Sequence, residues 1–477
     1  MIAPVREIRN RLSDGLNWLG RALSRRRYRP VLITRYDAAQ TNDQNYRYWA
    51  GADSLDADTA NSLSVRKTIR ERARYEYLNS CYLRAQVETR VVHEIRTGPS
   101  LAVVTQNSAF NNALETLWRQ WADEINLVEK LRTIVRARIV DGEAFAILTS
   151  RRISQSWPPS SGIKLNILPI ECDLVTTPEY KLPSADYVDG IHLRDGQAVA
   201  YDILEVHPGS AAAPWQWKYK TLDRRWVLHL FRSQRPGQHR GVSEITPALT
   251  VLPGVRQYIH ACIKGRVTAA SLSLAVYTDM PPDGAAEEVE PETTEVPFGA
   301  VFQLPMGWKA EQIRAEHPDD NGKEFIADRI AEAGRALMLP RNLATGDSSD
   351  YNFASGRLDH QPYFADIEVT QRQIETEVLD RIFAEWFLEV ATTRFDSLDI
   401  SRVVPHLWRW PGQPYTDPET EAKATEINLR TGVTTLPAEY ARRGLDWRDE
   451  LEAQANALGI TIEELQSRLR ETLYPLA

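Results

Sequence analysis

Two segments constrain what this chain can fold into more than any other part of the sequence. The first, Val227 to Ala248, predicts a strand over Trp226 to Phe231, a polar Pro-Gly turn and the start of a long helix. The second, Leu337 to Arg357, predicts the end of one helix, a Gly/Ser/Asp loop and the start of another long helix. The second half of the chain is therefore expected to contain long helices joined by short polar segments.

The composition is typical of a folded protein with more than one domain. The chain has 477 residues, of which 43% are apolar and 26% are charged. Its three cysteines, Cys81, Cys172 and Cys262, lie about ninety residues apart without a C-x-x-C pair, which fits neither a disulfide framework nor a zinc site. They are interpreted as buried thiols in a reducing compartment. The best apolar run, Val267 to Thr278, is too short to span a membrane.

Charge is distributed unevenly along the chain. The first thirty residues contain eight arginines, and Glu7 and Asp14 interrupt the pattern that a transit peptide would have. This segment is either a solvated arm or an arm that contacts nucleic acid or a neighbouring subunit. The net charge of −8 does not suit a protein that holds DNA tightly, because such proteins present positive surfaces that release counterions. It suits a conduit along which DNA slides, and equally a protein that never contacts DNA.

The first half of the chain predicts helices followed by a sheet. Apolar residues recur at intervals of three and four in Thr59 to Arg96, in two pieces, and again in Asn111 to Val140. Arg70 and Glu76 are assigned to the opposite, polar face of the first stretch. Short β-type runs then follow between Lys164 and Phe231. Helices followed by an antiparallel sheet predict an α+β fold.

The second half predicts long helices around an inserted region. Gly241 to Thr278 is mainly one helix, and a second helix begins at Asp319 or Asn321 and stops at Pro340. Between them are a Pro-rich acidic linker and a strand, Met280 to Thr294 and Val296 to Leu304. After the loop, a further helix runs from about Tyr351 to Val390, where Gly356 and Pro362 are candidate kink positions.

Turn and capping residues mark further boundaries. Asp195-Gly196 predicts a two-residue hairpin turn. Gly432 and Gly444 stand where helix C-caps are expected in a last, small helical part. Its short helices are predicted at Asn428 to Gly432, Pro437 to Gly444 and Glu450 to Leu469.

Motifs for catalysis are incomplete in this sequence. Gly322-Lys323 is followed by Glu324 and lacks the upstream glycine of a phosphate-binding loop. His93-Glu94 lacks the second histidine of a zinc protease, and Gly241-Val-Ser-Glu-Ile245 lacks the second glycine of a hydrolase elbow. We therefore predict a protein that is not an enzyme and that holds no cofactor or catalytic metal.

The charged residues of the loop after Pro340 leave alternatives open. Asp347 and Asp350 fit turn and N-cap groups better than a cation site. Arg341 is either a phosphate contact or a salt bridge to Asp347, to Asp350 or to a neighbouring subunit.

The order of five segments resembles the portal proteins of tailed phages, specifically the lambda family, over roughly Asp43 to Leu465. Besides the two opening segments they are Pro297-Phe-Gly-Ala-Val-Phe-Gln-Leu-Pro-Met-Gly-Trp308, Asp417-Pro-Glu419 and Arg443-Gly-Leu-Asp446. The resemblance implies a portal fold with an α/β wing, a long-helix stem, a small β-containing clip and a small helical C-terminal crown. The implied parts are a basic N-terminal arm (1–42), the wing (43–240), a stem helix (241–278), the clip (279–318), a second stem helix (319–340), a tunnel loop (341–352), a long wing helix and return (353–416) and the crown (417–477).

The resemblance also implies a function. Portals of this family form a ring of twelve subunits at one capsid vertex, through which a terminase drives double-stranded DNA without sequence specificity. The expected partners are other copies of the chain, the terminase large subunit, head-tail connector proteins, and the major capsid and scaffolding proteins, with no membrane. The protein is expected in the virion after assembly in the host cytoplasm; a prophage or gene transfer agent portal would have the same sequence features. The rival hypotheses are another capsid structural or scaffolding protein and a nucleic-acid-processing hydrolase.

Three groups of site residues follow from the implied architecture. The tunnel loop would present to DNA Arg341, Asn342, Thr345, Gly346, Asp347, Ser348, Ser349, Asp350 and Asn352. The clip would dock terminase and connector through Glu287, Glu288, Glu290, Phe298, Phe302, Trp308 and Lys309. The stem would line the channel with Lys264, Arg266 and Lys323.

Overall fold

The fold is taken from a computed structural model of the chain. The structure describes residues 39, 41–43, 45–151, 161–178, 184, 186–211, 217–270, 274–278, 308–312, 322–349, 351–394, 403–412 and 418–473. The chain divides into two units, Met1–Asp56 and Ala57–Ala477. The described part of the first unit consists mainly of turns, and the side chains of Asn42 and Asn45 each accept a hydrogen bond from the other's main-chain N–H. The predicted basic arm lies almost entirely outside the described residues.

The second unit begins with a one-turn helix, Ala57–Ala60, and two longer helices, α1 (Leu63–Asn79) and α2 (Cys81–Ile95). The two-piece prediction is confirmed, and the break falls at Ser80, whose hydroxyl caps α2 by accepting a hydrogen bond from the N–H of Leu83. Two further helices, α3 (Ser108–Glu124) and α4 (Leu127–Asp141), form where the helical pattern of Asn111 to Val140 ran without a break. They separate at Asn126, which adopts a left-handed conformation that asparagine tolerates better than most residues.

Two antiparallel sheets follow the helices. The first eight strands are β1 (Ser100–Val103), β2 (Glu143–Ser150), β3 (Leu165–Ile170), β4 (Tyr187–Val188), β5 (Ile191–Arg194), β6 (Gln197–Leu204), β7 (Tyr219–Asp223) and β8 (Val227–Phe231). The three-stranded sheet has the order β3-β2-β8, and the four-stranded sheet is a meander in chain order, β4 to β7. Asp195 and Gly196 have φ values of 50° and 71° between β5 and β6, so the predicted hairpin turn is confirmed. The α+β class is confirmed as well.

A long helix, α5 (Ala248–Ala270), leads to the inserted region. The prediction of one helix over Gly241 to Thr278 was wrong at both ends. Strand β9 (Leu274–Thr278) follows α5 and pairs antiparallel with β10 (Trp308–Gln312), because Val276, Tyr277 and Thr278 favour extended backbone. The chain then forms α6 (Gly322–Arg335). The strand predicted over Val296 to Leu304 lies outside the described residues.

After α6 the chain forms a short helix, α7 (Arg341–Thr345), and two long helices, α8 (Phe353–Ile374) and α9 (Asp380–Arg394). The last two are joined by a π-helical segment, Glu375–Leu379. The irregularity in this long helical stretch therefore falls at the π segment, while α8 continues through Gly356 and Pro362. Strand β11 (His406–Arg409) returns to pair antiparallel with β1.

The C-terminal part is helical, as predicted. Its helices are α10 (Pro418–Thr431), α11 (Leu436–Arg442), α12 (Trp447–Leu458) and α13 (Ile462–Leu473). Gly432 and Gly444 have positive φ angles after α10 and α11, which confirms both C-caps. The helix predicted over Glu450 to Leu469 is divided by Gly459, which is also left-handed.

An aromatic cluster forms part of the main core. Trp118 on α3 lies 4.8 Å from Trp121, 5.2 Å from Trp386 on α9 and 5.2 Å from Trp408 on β11, measured between ring centroids. The indole N–H of the fully buried Trp121 donates to the Leu165 carbonyl on β3 at 2.9 Å. Aromatic rings with a satisfied polar atom supply large buried area at low cost. The cluster therefore joins α3, α9, β3 and β11 into one core.

Two predictions about individual side chains were wrong. Cys172 is buried, but Cys81 is exposed and Cys262 is partly exposed. Arg70 and Glu76, assigned to a solvated face of α1, are both buried. Within the described residues, none of the helices has the length and apolar character that crossing a membrane requires.

Candidate functional site: a helix pair and its connecting loop

Helices α5 and α6 pack against each other and leave apolar side chains exposed. The rings of Tyr258 on α5 and Phe325 on α6 meet edge to face at 5.2 Å. Ile263 and Val267 on α5 are 52% and 63% exposed, and Phe325 is 48% exposed. Ile263 and Val267 are four residues apart and so share one face of the helix. Exposed apolar groups of this kind mark a surface that another chain can cover.

The same helix pair carries the three cations predicted to line the stem. Lys264, Arg266 and Lys323 are all exposed, and within the described part of the chain none of them forms an ion pair. Their charges are therefore available to an anionic partner.

The segment predicted as a tunnel loop is helical in its first half. Residues Arg341 to Thr345 form α7. Gly346 caps the end of this helix: it adopts a left-handed backbone conformation, and its N–H donates a hydrogen bond to the Asn342 carbonyl. The irregular, exposed part begins after Gly346. Asp347 accepts hydrogen bonds from the N–H and the hydroxyl of Ser349, at 3.0 and 2.7 Å, and these bonds lower the pKa of its carboxyl. Asp347 is a turn residue, as the sequence favours, and Asp350 lies outside the described residues.

Arg341 pairs with an acid that the sequence did not indicate. Its guanidinium lies 2.7 Å from the carboxylate of Asp328 on α6. This ion pair ties the start of α7 to α6. Both partners are about half exposed, so the pair contributes little to stability.

Buried contacts fix the base of the loop. The side-chain amide of Gln86 on α2 donates to the carbonyls of Ile330 on α6 and Ala344 on α7, both at 3.0 Å. Gly334 lets α6 and α7 approach closely, since a Cβ there would stand 2.4 Å from the Ala344 methyl carbon. At the other end, the Tyr351 hydroxyl donates to Asp359 on α8 at 2.7 Å. Residues Asp347 to Ser349 thus form an exposed loop on a fixed base.

Most of the predicted clip residues lie outside the described part of the chain, namely Glu287, Glu288, Glu290, Phe298 and Phe302. Trp308 and Lys309 belong to β10, opposite Thr278 and Tyr277 of β9, and Lys309 is exposed.

A buried charge cluster connects the sheet to the segment that leads into α5. The Glu143 carboxylate on β2 accepts from the Arg240 guanidinium at 2.6 Å and from the Gly241 N–H at 3.1 Å. It also lies 3.2 Å from His229 Nε2 on β8, and Arg240 lies 3.0 Å from Asp189. Burial raises the pKa of the Glu143 carboxyl, but Arg240 and His229 outweigh it and hold that pKa well below its usual range. Glu143 is therefore ionised in the core.

A second buried cluster supports α2 and α4. Glu94 accepts from Arg138 at 2.9 Å and from Arg90 at 2.6 Å, and Arg138 also pairs with Glu244 at 2.8 Å. Arg90 reaches Asp366 on α8 at 2.5 Å. Neither cluster is evident from the sequence, because an arginine or glutamate in a helical pattern is usually solvated.

One group of side chains in the described residues has the composition of a metal site. Glu171, Asp173 and His207 place one oxygen or nitrogen each within 4.8 Å of one another. His207 Nδ1 accepts from the Gly209 N–H at 3.0 Å, which places the proton of the neutral ring on Nε2, the atom that faces the acids. Arg74 also lies 2.9 Å from Asp173. The group is arranged as an ion-pair cluster.

The described part of the chain combines an α+β body, a packed pair of helices with a two-stranded insertion between them, and an exposed loop after the second helix. This arrangement agrees with the portal fold that the sequence resemblance implies. The chain belongs to the phage portal proteins of the lambda family, whose family model matches residues 43–371, more than two thirds of the sequence. Proteins of this family are structural components of the phage particle.

Several solved structures are similar to this chain. The neck of an empty gene transfer agent particle with C6 symmetry is 12% identical, and the match covers 82% of this chain and 99% of that chain, with a TM-score of 0.49. The virion of a native gene transfer agent particle is 13% identical over 79% and 92% of the two chains, with a TM-score of 0.44. An HK97-family portal protein from Corynebacterium diphtheriae is 11% identical over 78% and 99%, with a TM-score of 0.30. No curated protein sequence matches.

Proposed function

We propose that twelve copies of this chain form a closed ring at one capsid vertex and that double-stranded DNA passes through its channel. The exposed surface of the α5/α6 pair carries this proposal. It combines apolar side chains that need a neighbouring chain, such as Ile263 and Val267, with cations that lack an ion pair in the described residues. A neighbouring copy covering the apolar residues would leave the cations as candidates for contact with phosphate.

A ring explains how a chain with a net charge of −8 could handle DNA. Each loop is repeated by the symmetry, so one weak contact per subunit becomes a collar without sequence specificity. The loop contributes small and acidic residues, Asp347, Ser348 and Ser349, and Arg341 beside it is already paired with Asp328. Few strong phosphate contacts favour sliding over tight binding.

The observed elements supply a candidate for each part of a portal. The wing comprises α1 to α4 and the two sheets, completed by α8, α9 and β11. The stem comprises α5 and α6, the clip begins and ends with β9 and β10, and the crown comprises α10 to α13. The tunnel loop is the stretch from Gly346 to Asn352 on the base formed by α7. The clip would dock the terminase during packaging and a connector afterwards, within a virion assembled in the host cytoplasm.

Ring formation is tested by charging the exposed face of α5. The wild-type protein, with capsid partners present, is expected to form rings with an axial channel and a mass near twelve times 54.2 kDa. Combining Ile263→Lys with Val267→Lys should abolish the rings, because two buried lysines would face the neighbouring chain. Electron microscopy and mass determination measure the outcome.

The matched control is Val433→Lys, which changes an even more exposed valine on the loop between α10 and α11 and should leave rings intact. Rings formed by the doubly substituted α5 variant would show that this face is not the subunit interface. A wild-type chain that stays monomeric with its capsid partners would contradict the ring itself.

The role of the loop is tested separately. Deleting Asp347 to Ser349 keeps the Gly346 cap and the α7 contacts, so ring formation should be unchanged. DNA packaging or retention should fall, because the collar around the DNA is shortened. The measurement is genome content per particle. A comparison variant keeps the wild-type length but has glycine at the three positions, and its packaging defect should be smaller than that of the deletion. Normal genome content in the deletion variant would remove the loop from the mechanism.

A further inference from the structure

A cleft of about 360 Å³ lies between the four-stranded sheet, strand β8 and the π-helical segment. This volume falls within the range of small-molecule sites. Ile191, Ala198 and Phe231 give the cleft an apolar wall, and Arg224, Arg381 and Glu377 bring charge to it. None of these residues belongs to the α5/α6 pair or to the loop after α7.

The first observation that points to a ligand is the Tyr201 hydroxyl. Tyr201 is only 2% exposed and lines the cleft. Within the described residues its hydroxyl makes no hydrogen bond, and this atom is accessible from the cleft although the rest of the side chain is buried. Burial raises the pKa of this phenol, so the hydroxyl remains a donor at neutral pH. A ligand oxygen would satisfy it.

The second observation is a pair of arginines that form no salt bridge within the described residues. Arg381 donates to the main-chain carbonyls of Arg224 and, at 2.9 Å, of Val227, which fixes its side chain at the cleft. In the described part of the chain neither Arg224 nor Arg381 forms a salt bridge. The adjacent Arg225 differs, because it makes a bidentate pair with Glu385 at 2.5 and 2.8 Å. Arg224 and Arg381 therefore keep donors for an anion.

The third observation is the π-helical segment Glu375–Leu379. Such turns are rare in α-helices, and where they occur they often lie at functional sites. Glu377 lies in this segment and lines the cleft. One turn earlier, the Gln373 amide donates to the Phe231 carbonyl at 2.8 Å and holds the helix to β8. Glu377 supplies a carboxylate acceptor in the cleft that Arg224 and Arg381 also line.

We propose that this cleft binds a small molecule that carries a phosphate group, held by Arg224, Arg381 and the Tyr201 hydroxyl. A phosphate monoester carries nearly two negative charges at neutral pH and so matches two guanidinium groups, whereas a carboxylate carries only one. Glu377 accepts from a donor on the organic part of the ligand, which packs against Ile191, Ala198 and Phe231. A nucleoside monophosphate with an exocyclic amine has this chemistry. The cleft is too small for a DNA duplex, so the site is independent of the proposed channel.

The test is calorimetric titration of the full chain with adenosine monophosphate and with inorganic phosphate. Saturable binding of the nucleotide is expected, with inorganic phosphate competing more weakly. Arg224→Gln should weaken nucleotide binding by about 10-fold or more, the loss of one charge-assisted hydrogen bond. Tyr201→Phe removes one oxygen and should weaken binding by roughly 5-fold.

The control is Arg225→Gln, which removes the neighbouring arginine and should change the affinity by less than about 2-fold. Tyr201→Phe gives an independent result if the Arg224 variant does not fold. No saturation up to about 10 mM nucleotide would overturn the proposal. Equal nucleotide affinity in the wild type and in both cleft variants would also overturn it. A third contrary result would be a protein that binds duplex DNA through Arg224 but does not bind the nucleotide.

Discussion

Substituting Glu143 by glutamine is expected to lower the free energy of unfolding by about 3–5 kcal/mol. Arg240 is only 1% exposed, and its guanidinium donates three times to the Glu143 carboxylate, at 2.6, 2.9 and 3.0 Å. An amide of the same size fills the space but carries no charge. Arg240 would then remain buried with Asp189 as its one acidic partner in the described residues. Removing one member of a buried pair is costly because the other charge loses most of its compensation.

The pH dependence of this loss has a defined sign. The pKa of Glu143 in the folded protein is held well below its usual range, so the unfolded chain binds the proton more readily. The stabilisation by Glu143 is therefore fully present above about pH 4.3, the usual glutamate pKa, and is lost as the pH falls through the lower, folded value. The difference between wild type and Glu143→Gln should be constant near neutrality and shrink in acid. Urea denaturation at several pH values measures it.

The control is a glutamate whose ion pair is exposed. Glu419 pairs with Lys423 at 2.6 Å on α10, and both side chains are largely solvated. Glu419→Gln should change the free energy of unfolding by less than about 0.5 kcal/mol. A Glu143→Gln protein with the same urea midpoint as the Glu419 control would show that the buried cluster does not stabilise the fold.

Local sequence signals located much of the fold. The break at Ser80, the hairpin turn at Asp195-Gly196 and the caps at Gly432 and Gly444 follow from the conformations that these residues allow. The pairing of β1 with β11 could not be predicted in this way. It joins Leu101 to Trp408 across some three hundred residues, and neither strand carries a local signal for its partner. Long-range pairing depends on the packed core, which a single sequence does not reveal.

In the candidate site, too, local features could be predicted from the sequence and long-range contacts could not. The order of helix, loop and helix around Pro340 was evident from turn and capping residues, and the fold places the loop there. The contacts at its base were not evident, since a glutamine such as Gln86 has no pattern that indicates two buried carbonyl partners. Arg70 and Glu76 were misassigned for a related reason. Their spacing marks a polar helix face, and only the charges on other elements show that this face is buried.

Substituting Gly241 by alanine is expected to destabilise the protein by roughly 3 kcal/mol. A Cβ at this position would stand 2.1 Å from the Gly142 carbonyl oxygen and 2.7 Å from its carbon. Both obstacles are backbone atoms, which cannot move aside as a flexible side chain could. The same close approach is held by the hydrogen bond from the Gly241 N–H to Glu143. The new methyl group would therefore push apart the end of α4 and the segment that leads into α5.

Gly254→Ala provides the opposite result in the same region. Gly254 lies inside α5, and nothing stands within 4 Å of the added Cβ. Alanine should stabilise the helix by about 0.5–1 kcal/mol, because it loses less backbone entropy than glycine on folding. Urea denaturation of both variants should thus move the midpoint in opposite directions. A Gly241→Ala protein as stable as the wild type would mean that the chain can separate Gly142 from Gly241 without cost, and the buried cluster would then not fix where α5 begins.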